Sequence, residues 1–128
     1  MLKLVVLFYQ AEDNKALEDY FYNQYLPMAT KIPGVVKIEV TQLYTDLKKV
    51  FLKQEDLTPV YKILCEIYFE DFQSFEEGIK APDGVAIADN TVKVAWELVT
   101  VIIGDVISIT PEEYEKNPTF IRRFRHNN

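Results

Sequence analysis

The chain has 128 residues, 48% of them hydrophobic, with a formal net charge of -6 and a pI near 4.8. That is one domain of ordinary size with enough apolar side chains for a real core. The negative balance argues against a nucleic-acid binder and an anionic-membrane binder, both of which need a positive field. No uncharged apolar run reaches the ~18 residues of a membrane span. The amino terminus, MLKLVVLFYQAED, lacks the basic stretch and small-residue cleavage site of a secretory signal. The expectation is a soluble, cytoplasmic protein. A lone cysteine, Cys65, excludes an internal disulfide framework and sits in an apolar run, as a small buried hydrophobe does.

Residues 2–9, LKLVVLFY, read as a strand that is apolar on both faces and therefore central. Asp13 or Asn14 can cap the helix that follows, in which Leu17, Phe21, Met28 and Ile32 form one stripe and Pro33-Gly34 marks the end. Pro27 interrupts that helix. It lacks an N–H, so the spacing predicts a kink that frees the Asn23 carbonyl. Residues 35–44, VVKIEVTQLY, alternate as a half-buried second strand. Residues 45–59 are charged and read as an irregular connection with at most one helical turn or a hairpin extension.

Residues 60–69, VYKILCEIYF, form the third strand. Asp71 can cap a second helix, FQSFEEGIK, which Ala81-Pro82-Asp83-Gly84 breaks. The next stretch, GVAIADNTVKVAW, continues as a short helix and a linker. Residues 97–107, ELVTVIIGDVI, are the fourth strand. Thr110, Pro111 and Glu113 then set out a capping box for a short terminal helix. RRFRH, 122–126, is a basic tail.

The order is β-α-β-β-α-β. This is the α+β ferredoxin-like arrangement, a four-stranded antiparallel sheet with both helices on one face. It occupies residues 1–107, and 108–128 add the short helix and tail. Two helices cover only one side of such a sheet. Strands one and four are nonetheless apolar on both faces, so a second copy of the chain is the simplest cover for the open side. The prediction is a homodimer with its sheets packed face to face, and Val101 serves as the probe of that interface.

DYFYNQYLPMATKIPGV, on the first helix and its exit, resembles the corresponding run of the EthD-like family, in the dimeric α/β-barrel superfamily. The family pattern there is aromatics, then His-x-Pro-Leu, then Pro-Gly before the second strand. APDGVAIADN, 81–90, is similar to the family segment that ends in Ala-Asp before the last strand. The resemblance spans about residues 2–107. It implies a small dimeric protein that binds a hydrophobic cyclic or aromatic carbonyl or lactone compound. The implied chemistry is cofactor-independent isomerisation, cyclisation or oxygenation, in a pocket between the sheet and the first helix. Where the family has histidine, this chain has Tyr25. A tyrosine of ordinary pKa near 10 donates a hydrogen bond but is a poor base near neutrality. The same departure therefore also fits a catalytically silent binding or accessory protein, and a bare dimerisation module would show no pocket.

The candidate residues follow from that frame. Tyr25, the catalytic candidate, lies at the edge of the apolar stripe, where it can bury its ring and present its hydroxyl to a ligand. Asp89 matches the family's Ala-Asp position. Glu66 and Glu39 lie on the more polar strand faces, where burial would make either an acid or base. Tyr22, Tyr44, Tyr68 and Trp96 are candidate aromatic walls for a flat ligand. One histidine, His126 in the tail, and one cysteine give no zinc or copper ligand set and only a weak axial ligand for haem. Four scattered glycines make no phosphate loop, and Ser74 and Ser108 have no basic partner nearby in sequence. No metal and no cofactor are expected.

Overall fold

The computed structural model describes residues 1–119. The elements run β1 (Leu2–Tyr9), α1 (Asn14–Tyr20), a π-turn (Phe21–Tyr25), α2 (Leu26–Ala29), β2 (Val35–Gln42) and α3 (Leu47–Phe51). They continue with β3 (Tyr61–Phe69), α4 (Phe72–Lys80), α5 (Pro82–Asn90), a second π-turn (Thr91–Ala95), a 3-10 turn (Trp96–Leu98), β4 (Val99–Asp105) and α6 (Pro111–Lys116). The strands pair antiparallel in the order β2-β3-β1-β4, which is the ferredoxin-like sheet. The basic run at 122–126 and His126 lie outside the described residues.

The helix starts are set by the side chains that the sequence offers. Asp13 accepts from the Ala16 N–H at 3.0 Å, Asp71 from the Ser74 N–H at 2.8 Å and Thr110 from the Glu113 N–H at 3.1 Å. Gly34 leaves the first helical region with φ +86°, a backbone that glycine adopts without strain. Pro27 does not break the helix. The chain is helical from Asn14 to Ala29, and the turn before the proline widens, with the Leu26 N–H bonding the Phe21 carbonyl five residues back. A π-turn takes up the lost hydrogen bond locally, as such turns do inside α-helices.

Register decides which strand residues meet the helices. Leu4 pairs with Ile67 and Ile103, Val6 with Cys65 and Val101, and Phe8 with Ile63 and Val99. Directly paired residues share a face. The helix side of the sheet is therefore Leu2, Leu4, Val6, Phe8, Ile63, Cys65, Ile67, Phe69, Val99, Val101 and Ile103. Val6, Phe8, Ile63, Cys65, Ile67 and Phe69 are fully buried there, against Leu17, Phe21, Tyr25, Ala29 and Ile32 of the first helical region and Phe75 and Ile87 of the second. Val101 thus points to the helices, and Ile102 is the β4 residue on the open face. The open face has two halves. Val5, Leu7, Leu64 and Ile102 are apolar. Beside them Lys3 pairs with Glu66, the Tyr68 hydroxyl donates to Glu39 at 2.5 Å, and the Lys37 ammonium stands 4.5 Å from the Tyr68 ring centre.

The stretch expected to be a short helix and linker is helical throughout. α5 and its π-turn carry Gly84, Ile87, Ala88, Thr91 and Ala95 along one side, the spacing of a helix face. α5 packs closely on α4. A Cβ on Gly84 would lie 2.1 Å from the Gly78 carbonyl oxygen, and one on Gly78 2.5 Å from the Pro33 carbonyl oxygen. Glycine at these two places lets two helices and the Pro33 turn approach backbone to backbone.

Candidate functional site

A cavity of about 290 Å³ opens between the sheet and the second helical layer. Leu4 of β1 and Val101 of β4 form its floor. Tyr25 and Ile32 close one side, Phe75 and Ile79 of α4 another, and Gly84, Ile87 and Ala88 of α5 a third. Thr91, Val92 and Trp96 stand at its rim. The wall is almost wholly apolar. Its buried polar group is the Tyr25 hydroxyl.

Tyr25 reaches the cavity because it is the last residue of the first π-turn. Its ring is 2% exposed, edge-on to Phe8 at 5.2 Å, stacked with Phe21 at 5.9 Å and tilted to Tyr20 at 6.3 Å. Burial pushes its hydroxyl well above the ordinary tyrosine value, with Cys65 and Tyr20 adding to the shift and Thr91 opposing it. At neutral pH this group is a hydrogen-bond donor and not a base. Thr91 spends its own proton on the Ile87 carbonyl at 2.7 Å, which leaves its oxygen as an acceptor. The Tyr20 hydroxyl donates to Asn90 Oδ1 at 2.6 Å and ties the first helix to the end of α5. Two π-turns, one ending in Tyr25 and one beginning at Thr91, therefore border the same cavity, a placement common at functional sites.

The structure brings together Tyr25 and Trp96, and Trp96 is 67% exposed at the mouth. The other residues singled out in the sequence stand elsewhere. Glu66 and Tyr68 are on the open sheet face, because the pleat gives Cys65 and Ile67 to the helices. Glu66 is held there by Lys3. Tyr68 is pushed up to about 12 by its hydrogen bond to Glu39, with desolvation second. Tyr22 is half in solvent and bonds Gln42 of β2, Tyr44 is 84% exposed beyond β2, and Asp89 is exposed on α5. Cys65 is sealed in the core, and burial pushes its thiol up to about 12, so it is inert as a nucleophile at neutral pH. Sequence reading missed the α5 contribution. The signal was present as Gly84, Ile87, Ala88 and Thr91, at i, i+3, i+4 and i+7, behind a Pro-Asp-Gly opening that reads as a breaker.

A second apolar cavity of about 230 Å³ lies between the start of α1 and Val94 and Leu98, but its one carboxylate, Asp13, is taken by the helix cap. Among the described residues no three of His, Cys, Asp and Glu gather to hold a metal ion. Nor, among the described residues, is any helix long and apolar enough to cross a membrane.

Among solved structures, the chain is similar to an ethyl tert-butyl ether D (EthD) family protein from Bacillus halodurans. The identity is 27% over 84% of this chain and 99% of that one, with a TM-score of 0.72. The chain resembles that EthD family protein in fold and sequence. The EthD-like fold also matches a mutant form of SnoaB, a cofactor-independent oxygenase from Streptomyces nogalater, at 13% identity over 86% of this chain and 96% of that one, TM-score 0.54. It matches a dimeric protein of unknown function and ferredoxin-like fold from Bacteroides fragilis at 16% identity, covering 82% and 95%, TM-score 0.51. These two likenesses show the fold. No family model and no curated protein matches the sequence.

Proposed function

We propose that this EthD-like chain works as a homodimer that takes a hydrophobic cyclic or aromatic carbonyl or lactone compound into the cavity between sheet and helices. The Tyr25 hydroxyl donates a hydrogen bond to the ligand's carbonyl, and Trp96 packs across its ring at the mouth. One observation carries the reading: an apolar cavity whose buried polar group is a hydroxyl kept neutral by that same burial. Such a donor orients and polarises a carbonyl oxygen, which assists isomerisation, cyclisation or oxygenation of an electron-rich ring. The similarity to a cofactor-independent oxygenase is in keeping with that chemistry. Homodimerisation uses the open face, where Val5, Leu7, Leu64 and Ile102 await cover.

A second reading has its own support. No histidine, carboxylate, amine or thiol lines the cavity among the described residues. A protein that binds and presents its ligand without proton transfer needs none.

Thermal-shift measurement against small lactones, quinones and phenolic ketones tests the site. A compound that stabilises the wild type should bind Tyr25→Phe about 2- to 10-fold more weakly, the share of one neutral hydrogen bond. Equal binding to both proteins would place the ligand's polar contact elsewhere and remove Tyr25 from the site. Turnover of the bound compound by wild type separates the enzyme from the carrier.

A further inference from the structure

The connection between β2 and β3, residues 43–60, exposes apolar residues beside its charged ones. Several of its polar groups are bonded within the segment. Asp46 caps α3 by accepting from the Lys48 N–H at 2.9 Å, the Asp46 N–H donates to the Leu57 carbonyl at 2.8 Å, and Lys49 donates to the Thr58 carbonyl. Lys53, at φ +55°, turns the chain out of the helix, and the Gln54 N–H bonds the Lys49 carbonyl at 3.0 Å. Meanwhile Tyr44, Leu47, Phe51, Leu52 and Val60 face outward, with Leu47 62% and Phe51 74% exposed. Leu47 and Phe51 are one turn apart on the same side of α3. A connection that only links two strands has little cause to expose Leu47, Phe51 and Leu52 together. This one is ordered by its own hydrogen bonds and still presents its apolar residues, as a surface waiting for a partner does.

Two observations say which partner. A groove of about 460 Å³ runs from Thr41 through Tyr44 to Leu47, and Thr41 lies on the open face of the sheet opposite Leu64. The apolar arm is therefore continuous with the face assigned to the homodimer. The face by itself is also small. Four strands of seven to nine residues, about 4.8 Å apart and about 3.3 Å per residue, give a footprint of about 500 Å². A stable interface takes about 800 Å² of accessible surface from each partner, and side-chain relief brings a face of this footprint only near that size, so contacts beside it would add to the dimer. We propose that the 43–60 arm clasps the second copy of this chain, with Leu47 and Phe51 laid on the partner beside its sheet. The inference rests on the homodimer reading and adds a part to it.

Sedimentation equilibrium of the full chain over a dilution series tests this with two variants. Leu47→Asp/Phe51→Asp changes side chains that touch little of their own subunit, and circular dichroism checks that the fold is kept. The milder Phe51→Ser serves if the double variant does not fold. Ile102→Asp probes the sheet face. The expected result is a dimer dissociation constant raised at least tenfold by the arm variant. A constant within twofold of wild type, with Ile102→Asp breaking the dimer, overturns the arm and keeps the sheet-face dimer. An arm variant that dissociates while Ile102→Asp stays dimeric keeps the arm and overturns the sheet-face reading. A wild type that is monomeric at every concentration overturns both.

Discussion

Replacing Gly84 with alanine tests the architecture that shapes the cavity. The added Cβ would stand 2.1 Å from the Gly78 carbonyl oxygen, 2.5 Å from Ile79 Cα and 2.7 Å from the Ile79 carbonyl carbon. Every one of these is backbone, so no side-chain tip can swing aside. To restore ordinary contact, α5 must back away from α4 by about 1 Å. Forced overpacking of this kind costs about 1–3 kcal/mol, and rigid backbone on both sides puts it near 3. Alanine's better helix propensity offsets at most about 1 kcal/mol. The net loss is about 2 kcal/mol, which lowers the melting temperature by roughly 8 °C in a domain of this length. Urea and thermal unfolding of wild type and Gly84→Ala measure it directly. Because Ile87, Ala88 and Thr91 ride on α5, any compound found for the cavity should lose affinity in the same variant. A variant as stable as wild type, or more so, would mean that propensity wins and that α4 and α5 do not meet at these glycines.

Val101→Asp should leave the dimer intact and abolish ligand stabilisation, since Val101 floors the cavity and its neighbour Ile102 faces the other way; a monomeric Val101→Asp would invert the face assignment. Alkali should destabilise the protein. Burial holds the Cys65 thiol near 12 against an ordinary 9.0 and raises Tyr25 as well, so the folded state grips protons that the unfolded state releases. That stability is complete below about pH 9 and is lost as pH climbs toward 12. The urea midpoint should fall from pH 9 upward, less steeply in Cys65→Ala, and a flat profile to pH 10.5 would refute the burial of these groups. In the same vein, the native thiol should resist a disulfide reagent at pH 8 and react once the chain is unfolded.

The parts of the fold that local chemistry determines were legible in the sequence. β1 and β3 are runs whose length and β-branching exclude a helix, and Asp13, Asp71 and Thr110 are caps because their oxygens reach the N–H groups three residues on. The parts that pairing determines were not. β4 carries valine or isoleucine at 99, 101, 102 and 103, so alternation leaves open which side meets the helices. Only the partnership of Val6 with Val101 sends Val101 inward and Ile102 outward. Pro27 shows the same limit within one helix. Its missing N–H is readable, but whether the chain kinks or widens depends on how firmly Phe21 and Tyr25 are held in the core, and both are buried on either side of the turn. At the site, Tyr25 was findable from its place on the apolar stripe. Its neighbours Thr91 and Val101 come from distant segments that only the tertiary fold assembles.

The apolar residues left in solvent are not a sign of a poor core. Val6, Phe8, Phe21, Ile63, Cys65, Ile67 and Phe69 are sealed completely, and among the described residues no buried side-chain polar atom lacks a partner. A chain that packs this well at its centre has had the means to bury its leucines and valines. Many of those it leaves out stand in three places: Val92, Trp96 and Val101 around the cavity, Ile102 on the open sheet face, and Leu47 and Phe51 on the arm; others, such as Val36, Phe72 and Val85, are scattered singly. The first is concave, closed by helices and provided with one neutral hydroxyl, which is the form of a small-molecule site. The other two are joined by the Thr41 groove, and the proposal gives them to a second copy of the chain. On the reading proposed above, the helix side of the fold serves the ligand and the other side a second copy.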